Sequence, residues 1–354
     1  MKMIAAVLLC VCSLMGLAQK NDYIWYGGYG SDMVIDSVQF GYRFGQSKLD
    51  FRSGPMQVSY DSLGMNFTFT SVTYSDNEGN LLFYTNGISV RNGLDHKVLN
   101  GDSMHLGWLT LNWDLLANLY GQNVQQGIIV LPSITNPDQY FLVYGFIDSF
   151  PGTGGDQYIP SIKMSILDMA ANMGMGELIV KDSRIAQGTF GNEVTAVRHG
   201  NGQDWWLMFQ NRTTSCFTPV LYNTSGFNVM PITGCNISSI PRNEMSAACF
   251  SPIGDKYANF HFNTGIRLLD FDRCRGILYN WLYIPSSFGT DSAWYTSSLA
   301  FSPNGRFLYM TSAKVLIQYD TWAIDVISSA DTIAWYDGYR APNGAYLNAM
   351  QLGP

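Results

Sequence analysis

Short apolar runs alternate with turn residues along most of the chain. The clearest case is residues 300–309, where Ala300-Phe301 and Phe307-Leu308-Tyr309 flank a Ser-Pro-Asn-Gly turn. Pro303 fixes φ for the first corner, and Gly305 allows the positive φ that a tight reversal needs. The pattern therefore predicts a β-hairpin.

This hairpin recurs at a fixed interval. Residues 248–257 carry Phe-Ser-Pro at the same positions, and residues 350–354 resemble the first half of another copy. Pro252 and Pro303 are 51 residues apart, and so are Pro303 and Pro354. Equal spacing of about 40 to 50 residues is typical of β-propeller blades, because each repeat is one small antiparallel sheet.

Weaker copies of the hairpin have turns near residues 77, 135 and 200. We expect residues 20–55 to form loop and short strands that lead into the first blade, and residues 88–127 to form a long surface loop with one helical turn. The predicted fold class is all-β, a β-propeller of four-stranded antiparallel blades in one domain over residues 19–354. Five to six blades of seven are expected, with the chain cut inside a hairpin at Pro354, as in a fragment.

The N-terminus predicts export. In residues 1–18, Lys2 precedes an apolar run that ends in small residues, and polar sequence follows. The run is too short to span a bilayer, so we interpret it as a cleaved signal peptide, with no transmembrane segment after cleavage. The expected location is extracellular or on the outer-membrane surface. Of the four cysteines that remain, Cys216 and Cys235 can bridge the arms of a hairpin, and the pairings with Cys249 and Cys274 stay open.

Composition narrows the function classes. Charged residues make up 13% of the chain, aromatic residues 14%, and the net charge is −7. No basic stripe occurs, which argues against nucleic-acid binding. The chain has no nucleophile elbow, phosphate loop or dinucleotide fingerprint, and its histidines are scattered. We therefore expect no catalytic residue, no cofactor and no metal site recoverable from motifs, which favours a protein that is not an enzyme.

Several segments resemble the exported WD40-like β-propeller proteins of Bacteroidota. They are residues 44–54, the run Asp76-Asn77-Glu78-Gly79-Asn80-Leu81-Leu82-Phe83-Tyr84, residues 195–206, the two Phe-Ser-Pro hairpins and residues 350–354. The resemblance implies a propeller fold and a type IX secretion cargo, whose full chains continue into further modules. It implies no particular activity.

The repeat also predicts a candidate site. In a propeller the strand before the central hairpin lines the channel, so the residue that enters this strand lies at a channel mouth. Counting eight residues back from each turn proline gives Glu244, Tyr295 and Tyr346, and the weaker copy offers Glu193 or Asn192. A ring of Glu and Tyr can bind a sugar or peptide, while the alternative is that these residues only satisfy loop backbone groups.

Two functions follow as hypotheses. The first is a binding or scaffold module for protein or glycan at the cell surface, because the repeat framework carries no recognisable catalytic motif. The alternative is a propeller-type hydrolase or lyase acting on an extracellular carbohydrate or peptide, whose acidic residues converge only in the folded chain.

Overall fold

The computed structural model describes residues 21–28, 45–67, 69–105, 121–122, 124, 126–146, 159–235, 246–261, 264–285, 297–338, 347 and 349–354. These residues form one helical turn, α1 (Ala171–Gly174), and short strands throughout. The strands are β1 (Ile24–Gly27), β2 (Gln46–Asp50), β3 (Gln57–Asp61), β4 (Val72–Ser75), β5 (Leu81–Thr85), β6 (Val90–Asn92), β7 (Ile128–Pro132), β8 (Gln139–Tyr144), β9 (Ile159–Asp168), β10 (Glu177–Phe190), β11 (Thr195–Arg198), β12 (Trp205–Gln210), β13 (Phe217–Asn223), β14 (Gly226–Val229), β15 (Ser246–Phe250), β16 (Lys256–His261), β17 (Gly265–Asp272), β18 (Ile277–Pro285), β19 (Ser297–Phe301), β20 (Phe307–Ser312), β21 (Val315–Asp320) and β22 (Asp331–Trp335).

The strands pair into six antiparallel sheets that follow one another along the chain. We number them as blades: β1 to β3 form blade 1, β4 to β6 blade 2, β7 to β10 blade 3, β11 to β14 blade 4, β15 to β18 blade 5 and β19 to β22 blade 6. The first strands of consecutive blades contact one another, as β1 and β4 or β15 and β19 do. The predicted all-β propeller is therefore confirmed.

The hydrophobic core lies between neighbouring blades. In the largest cluster of the second half, Leu308 and Met310 of blade 6 pack against Phe260 and Ile266 of blade 5. The five clusters lie between consecutive blades, so blades 2 to 5 each bury one face against the blade before and the other against the blade after. Successive side chains of a strand in these blades therefore point into two different cores, one on each face, and not into one core and solvent.

The repeated hairpin has the predicted geometry. Ser302 donates its backbone N–H to Phe307 across 2.8 Å, and Gly305 has a φ of 73°. In blade 5, Ser251 donates in the same way to Lys256 across 2.9 Å. These hairpins join the first and second strands of their blades, as the repeat predicts.

The beginning of the chain differs from the prediction. Residues 20–55 do not merely lead into a blade, because β1 and β2 lie in them and form blade 1 together with β3. The residues of β3 are mostly exposed, so the apolar alternation that marks the other strands is weak there. In the segment expected to be one long loop, residues 90–92 form β6, and the helical turn expected near residues 108–120 lies outside the described residues.

Residues 349–354 are not part of a strand in the structure. Met350 lies beside the first strand of blade 6, where its backbone N–H donates to Ser298 Oγ across 2.8 Å. The described residues thus hold six blades and do not confirm a seventh.

One disulfide bond joins Cys216 to Cys235. Cys216 precedes β13 and Cys235 follows β14, so the bond bridges the two arms of the hairpin, which is one of the pairings that the sequence left open. Cys249 and Cys274 are free thiols, and Cys249 packs against the core between blades 5 and 6. Among the residues that the structure describes, no helix has both the length and the apolar character needed to cross a membrane.

Candidate functional site

Three of the four predicted site residues immediately precede the first strand of a blade in the sequence. Glu193 lies two residues before the start of β11. Glu244 and Tyr295 stand at the same distance before β15 and β19, but they and Tyr346 lie outside the described residues. The structure therefore shows the surroundings of Glu193 alone.

The equivalent residues of earlier blades bind neighbouring segments. Thr70 donates its hydroxyl to the carbonyl of Val124 across 2.7 Å. Gln126, with a φ of 55°, pairs through its amide with the N–H and C=O of Ala248, at 2.9 and 3.0 Å. Because Ala248 belongs to blade 5, this side chain joins blade 3 directly to a blade two positions further on.

Glu193 projects toward blade 5 and is only 1% exposed. Its Oε1 accepts a hydrogen bond from Asn259 Nδ2 across 3.0 Å. A Cβ atom at position 191 would lie 2.5 Å from Glu193 Oε2, so only glycine leaves room for the carboxylate there. The local chain Gly191-Asn192-Glu193 thus places a buried carboxylate between two blades.

Four residues form a row across blade 5 on the same level. Ala248 on β15 pairs with Asn259 on β16, Asn259 pairs with Arg267 on β17, and Arg267 pairs with Tyr283 on β18. Paired residues of antiparallel strands lie on the same face of a sheet. This is the face toward blade 4, because Asn259 on it donates to Glu193.

Arg267 is the charged centre of the row. It is 3% exposed, donates from Nη2 to Asn259 Oδ1, and stacks with its Cζ 5.1 Å from the centre of the Phe217 ring in blade 4. Burial lowers the pKa of Arg267, while the charges of Tyr257 and Glu193 act in the opposite direction. Asn259 therefore links a buried guanidinium to a buried carboxylate.

Further polar atoms surround this link. Within the described part of the chain, Glu193 Oε2, Arg267 Nη1 and Gln210 Nε2 are buried and have no hydrogen-bond partner. The Tyr257 hydroxyl approaches that of Thr195 without reaching the geometry of a hydrogen bond. Buried polar groups without partners cost free energy, so this cluster is not explained by packing alone.

The row reaches the surface at β18. Tyr283 is 39% exposed, and Trp281, two residues earlier on the same face, is 45% exposed. The register of β18 shifts between the partners of Leu268 and Asp270, with Asn280 at a φ of 47°. This bulge places Tyr279, the partner of Asp270, on the opposite face, toward blade 6.

The sequence contained a signal for this row that the motif search missed. Aligning the two Phe-Ser-Pro repeats in register places Asn259 at the position of Met310, and Arg267 at that of Ile317. A position can be polar in one copy of the repeat and apolar in another. At such a position blade packing does not dictate the residue type.

Comparison with known proteins adds little to this picture. No family model matches the chain, and no curated protein matches it. Among solved structures, a functionally unknown protein from Desulfotomaculum acetoxidans is 10% identical, with a TM-score of 0.45 over 86% of this chain and 83% of its own. The periplasmic gluconolactonase of Pseudomonas aeruginosa is 10% identical, with a TM-score of 0.38 over 93% and 96%. The Dos1 propeller is 10% identical, with a TM-score of 0.42 over 90% and 85%. These values support no argument about activity.

Proposed function

We propose that this protein is an exported propeller that binds carbohydrate along the outer edge of blade 5. The observation that carries the proposal is the continuous face from the buried Arg267 to the exposed rings of Tyr283 and Trp281. It places two flat aromatic surfaces, those of Tyr283 and Trp281, side by side in solvent.

Carbohydrate suits this combination better than a protein partner does. A sugar ring presents a C–H face that packs on an aromatic ring and hydroxyls that both donate and accept hydrogen bonds. Trp281 and Tyr283 are two residues apart on one strand, so their rings are spaced about 6.5 Å along it. Two rings at this spacing can contact successive units of a chain of sugars.

Export is part of the proposal. The disulfide between Cys216 and Cys235 supports it, because such bonds persist mainly in oxidising compartments. The apolar segment within residues 1–18 supports it independently. Display at the cell surface and a type IX secretion route remain proposals drawn from the sequence resemblance.

The test is native affinity electrophoresis in gels that contain laminarin, xylan, galactomannan or pectin, with pull-down on insoluble cellulose and chitin. We expect retardation by at least one of them. The double variant Trp281→Ala/Tyr283→Ala should weaken it about tenfold, because each ring contributes about 0.5 to 1.5 kcal/mol.

The matched control is Tyr279→Ala, which removes an exposed ring from the same strand but from its other face. Binding that survives the double variant, or falls equally in the control, would contradict the proposed surface. Failure to bind any of these polysaccharides would contradict carbohydrate as the ligand. Release of reducing ends during the assay would support the hydrolase alternative instead.

A further inference from the structure

An open cavity of about 430 Å³ lies among blades 1, 2 and 3. Residues of β1 and β2 form one wall, the chain around residues 80–82 and 92–94 another, and the β9 to β10 hairpin the third. Its volume falls within the range of about 300 to 1,000 Å³ that small-molecule sites occupy.

The lining combines apolar surface with positive charge. Ile24, Leu82, Leu94 and Met169 supply apolar contacts, and the described lining includes Lys48 and Arg52 but no carboxylate. This is unusual in a chain with 27 acidic and 20 basic residues. A ligand that fits such a lining carries an anionic group on an apolar body.

Of the two cations in the lining, Lys48 forms the weaker ion pair within the protein. Arg52 is held by Asp50, with Nη2 2.6 Å from Oδ2, and also donates to Asn80 across 3.1 Å. The Lys48 Nζ atom lies 3.8 Å from Asp61 Oδ2, beyond hydrogen-bonding distance, and 5.7 Å from the centre of the Tyr26 ring. Asp61 already accepts the Tyr26 hydroxyl across 2.5 Å. The Lys48 ammonium can therefore turn to an anion in the cavity without leaving Asp61 unpaired.

We propose that this cavity is a second binding site, separate from the surface of blade 5, for a small amphipathic anion such as an aryl or acyl carboxylate or sulfonate. Lys48 binds the anionic group, and the apolar lining with Leu94 at its rim holds the body of the ligand. A charge-assisted hydrogen bond of this kind is short and stronger than a neutral one.

The test uses two fluorescent probes on the full chain. They are 1-anilinonaphthalene-8-sulfonate and N-phenyl-1-naphthylamine, which share their rings but differ in the sulfonate. We expect Lys48→Gln to weaken binding of the sulfonate about tenfold and to leave the neutral probe unchanged, because only the charged contact is lost. Leu94→Ser should weaken both probes, and its side chain is 71% exposed, so the fold is expected to tolerate the change.

Lys97→Gln is the matched control, since it removes an equal charge from a surface lysine paired with Asp102 at 3.2 Å. Wild-type affinity for the sulfonate in the Lys48→Gln variant would overturn the proposal. An equal loss in the Lys97→Gln variant would overturn it as well, because the effect would then come from net charge. Circular dichroism and thermal unfolding of each variant separate a lost site from a lost fold.

Discussion

Two neighbouring blade interfaces of this propeller both have an apolar core but differ in residue type at two equivalent positions. The row across blade 5 that faces blade 4 contains Asn259 and Arg267, whereas the corresponding row of blade 6 contains Met310 and Ile317. These four side chains are buried. Among the described residues, the row of blade 6 packs toward blade 5 through Met310 and Ile317, so Asn and Arg are not required at these positions to stack one blade on the next. The difference indicates that packing between blades does not by itself dictate the residue types in the row of blade 5.

The largest effect is expected when one member of the polar row is replaced alone. Arg267→Ile gives blade 5 the residue of blade 6 but leaves the Glu193 carboxylate buried and removes the donor to Asn259. We expect the free energy of unfolding to fall by about 3 to 5 kcal/mol, as for other broken buried pairs. Urea denaturation followed by tryptophan fluorescence measures the change.

The reference for this variant is Ile317→Val in blade 6, which should cost about 1 kcal/mol. If the two variants lose similar free energy, the charges of the polar row have no special role in stability, and the contrast between the interfaces is only one of composition.

A smaller effect depends on pH. Burial raises the pKa of Tyr257 well above its ordinary value, and the Glu193 charge raises it further. Above pH 10 the unfolded chain loses this phenolic proton while the folded chain keeps it, so stability falls as pH rises, by at most about 1.4 kcal/mol per pH unit and phenol. Blade 6 has Leu308 at this position, which does not titrate.

Tyr257→Phe removes this phenol, so the free energy of unfolding should decrease less between pH 10 and pH 11 than in the wild type. The difference is at most about 1.4 kcal/mol. Urea denaturation at each pH measures it. The control Tyr60→Phe removes a hydroxyl from an exposed ring and leaves the buried phenols in place. An unchanged slope in the Tyr257→Phe variant would mean that this phenol ionises equally easily in the folded chain.

The smallest effect is expected from replacing the polar cluster as a whole. The triple variant Glu193→Leu/Asn259→Met/Arg267→Ile gives the row of blade 5 the Met and Ile of blade 6 and replaces the buried carboxylate by an apolar side chain. We expect its unfolding free energy to lie within about 1 kcal/mol of wild type or above it, since apolar residues can replace a buried ionic cluster without loss. A triple variant as unstable as Arg267→Ile alone would show that the polar cluster itself stabilises the interface.

Much of the fold could be predicted because its strongest signals are local. A turn such as that of Pro303 and Gly305 can be recognised from neighbouring residues alone. The equal spacing of such turns along the chain predicts the blades. Blade 1 was missed because β3 has little apolar alternation. The disulfide was recognised as one option, since Cys216 and Cys235 flank a short hairpin.

The candidate site was harder to predict because its contacts cross between blades. The count from the repeat located Glu193 at the entry of an inner strand, but nothing local shows that its carboxylate meets Asn259, 66 residues away. The same is true of Tyr279, which a bulge at Asn280 places on the opposite face of the strand from Tyr283. Pairing between blades is set by the packed sheets rather than by neighbouring sequence.

The amide of Gln126 has a consequence for how the propeller assembles. It binds a backbone 122 residues later in the chain, past the whole of blade 4. Such a contact forms only after the intervening strands are in place, because closing so long a loop carries an entropic cost that local contacts do not. We therefore expect this bond to form late in folding, so that it slows the opening of the finished propeller more than it speeds its formation.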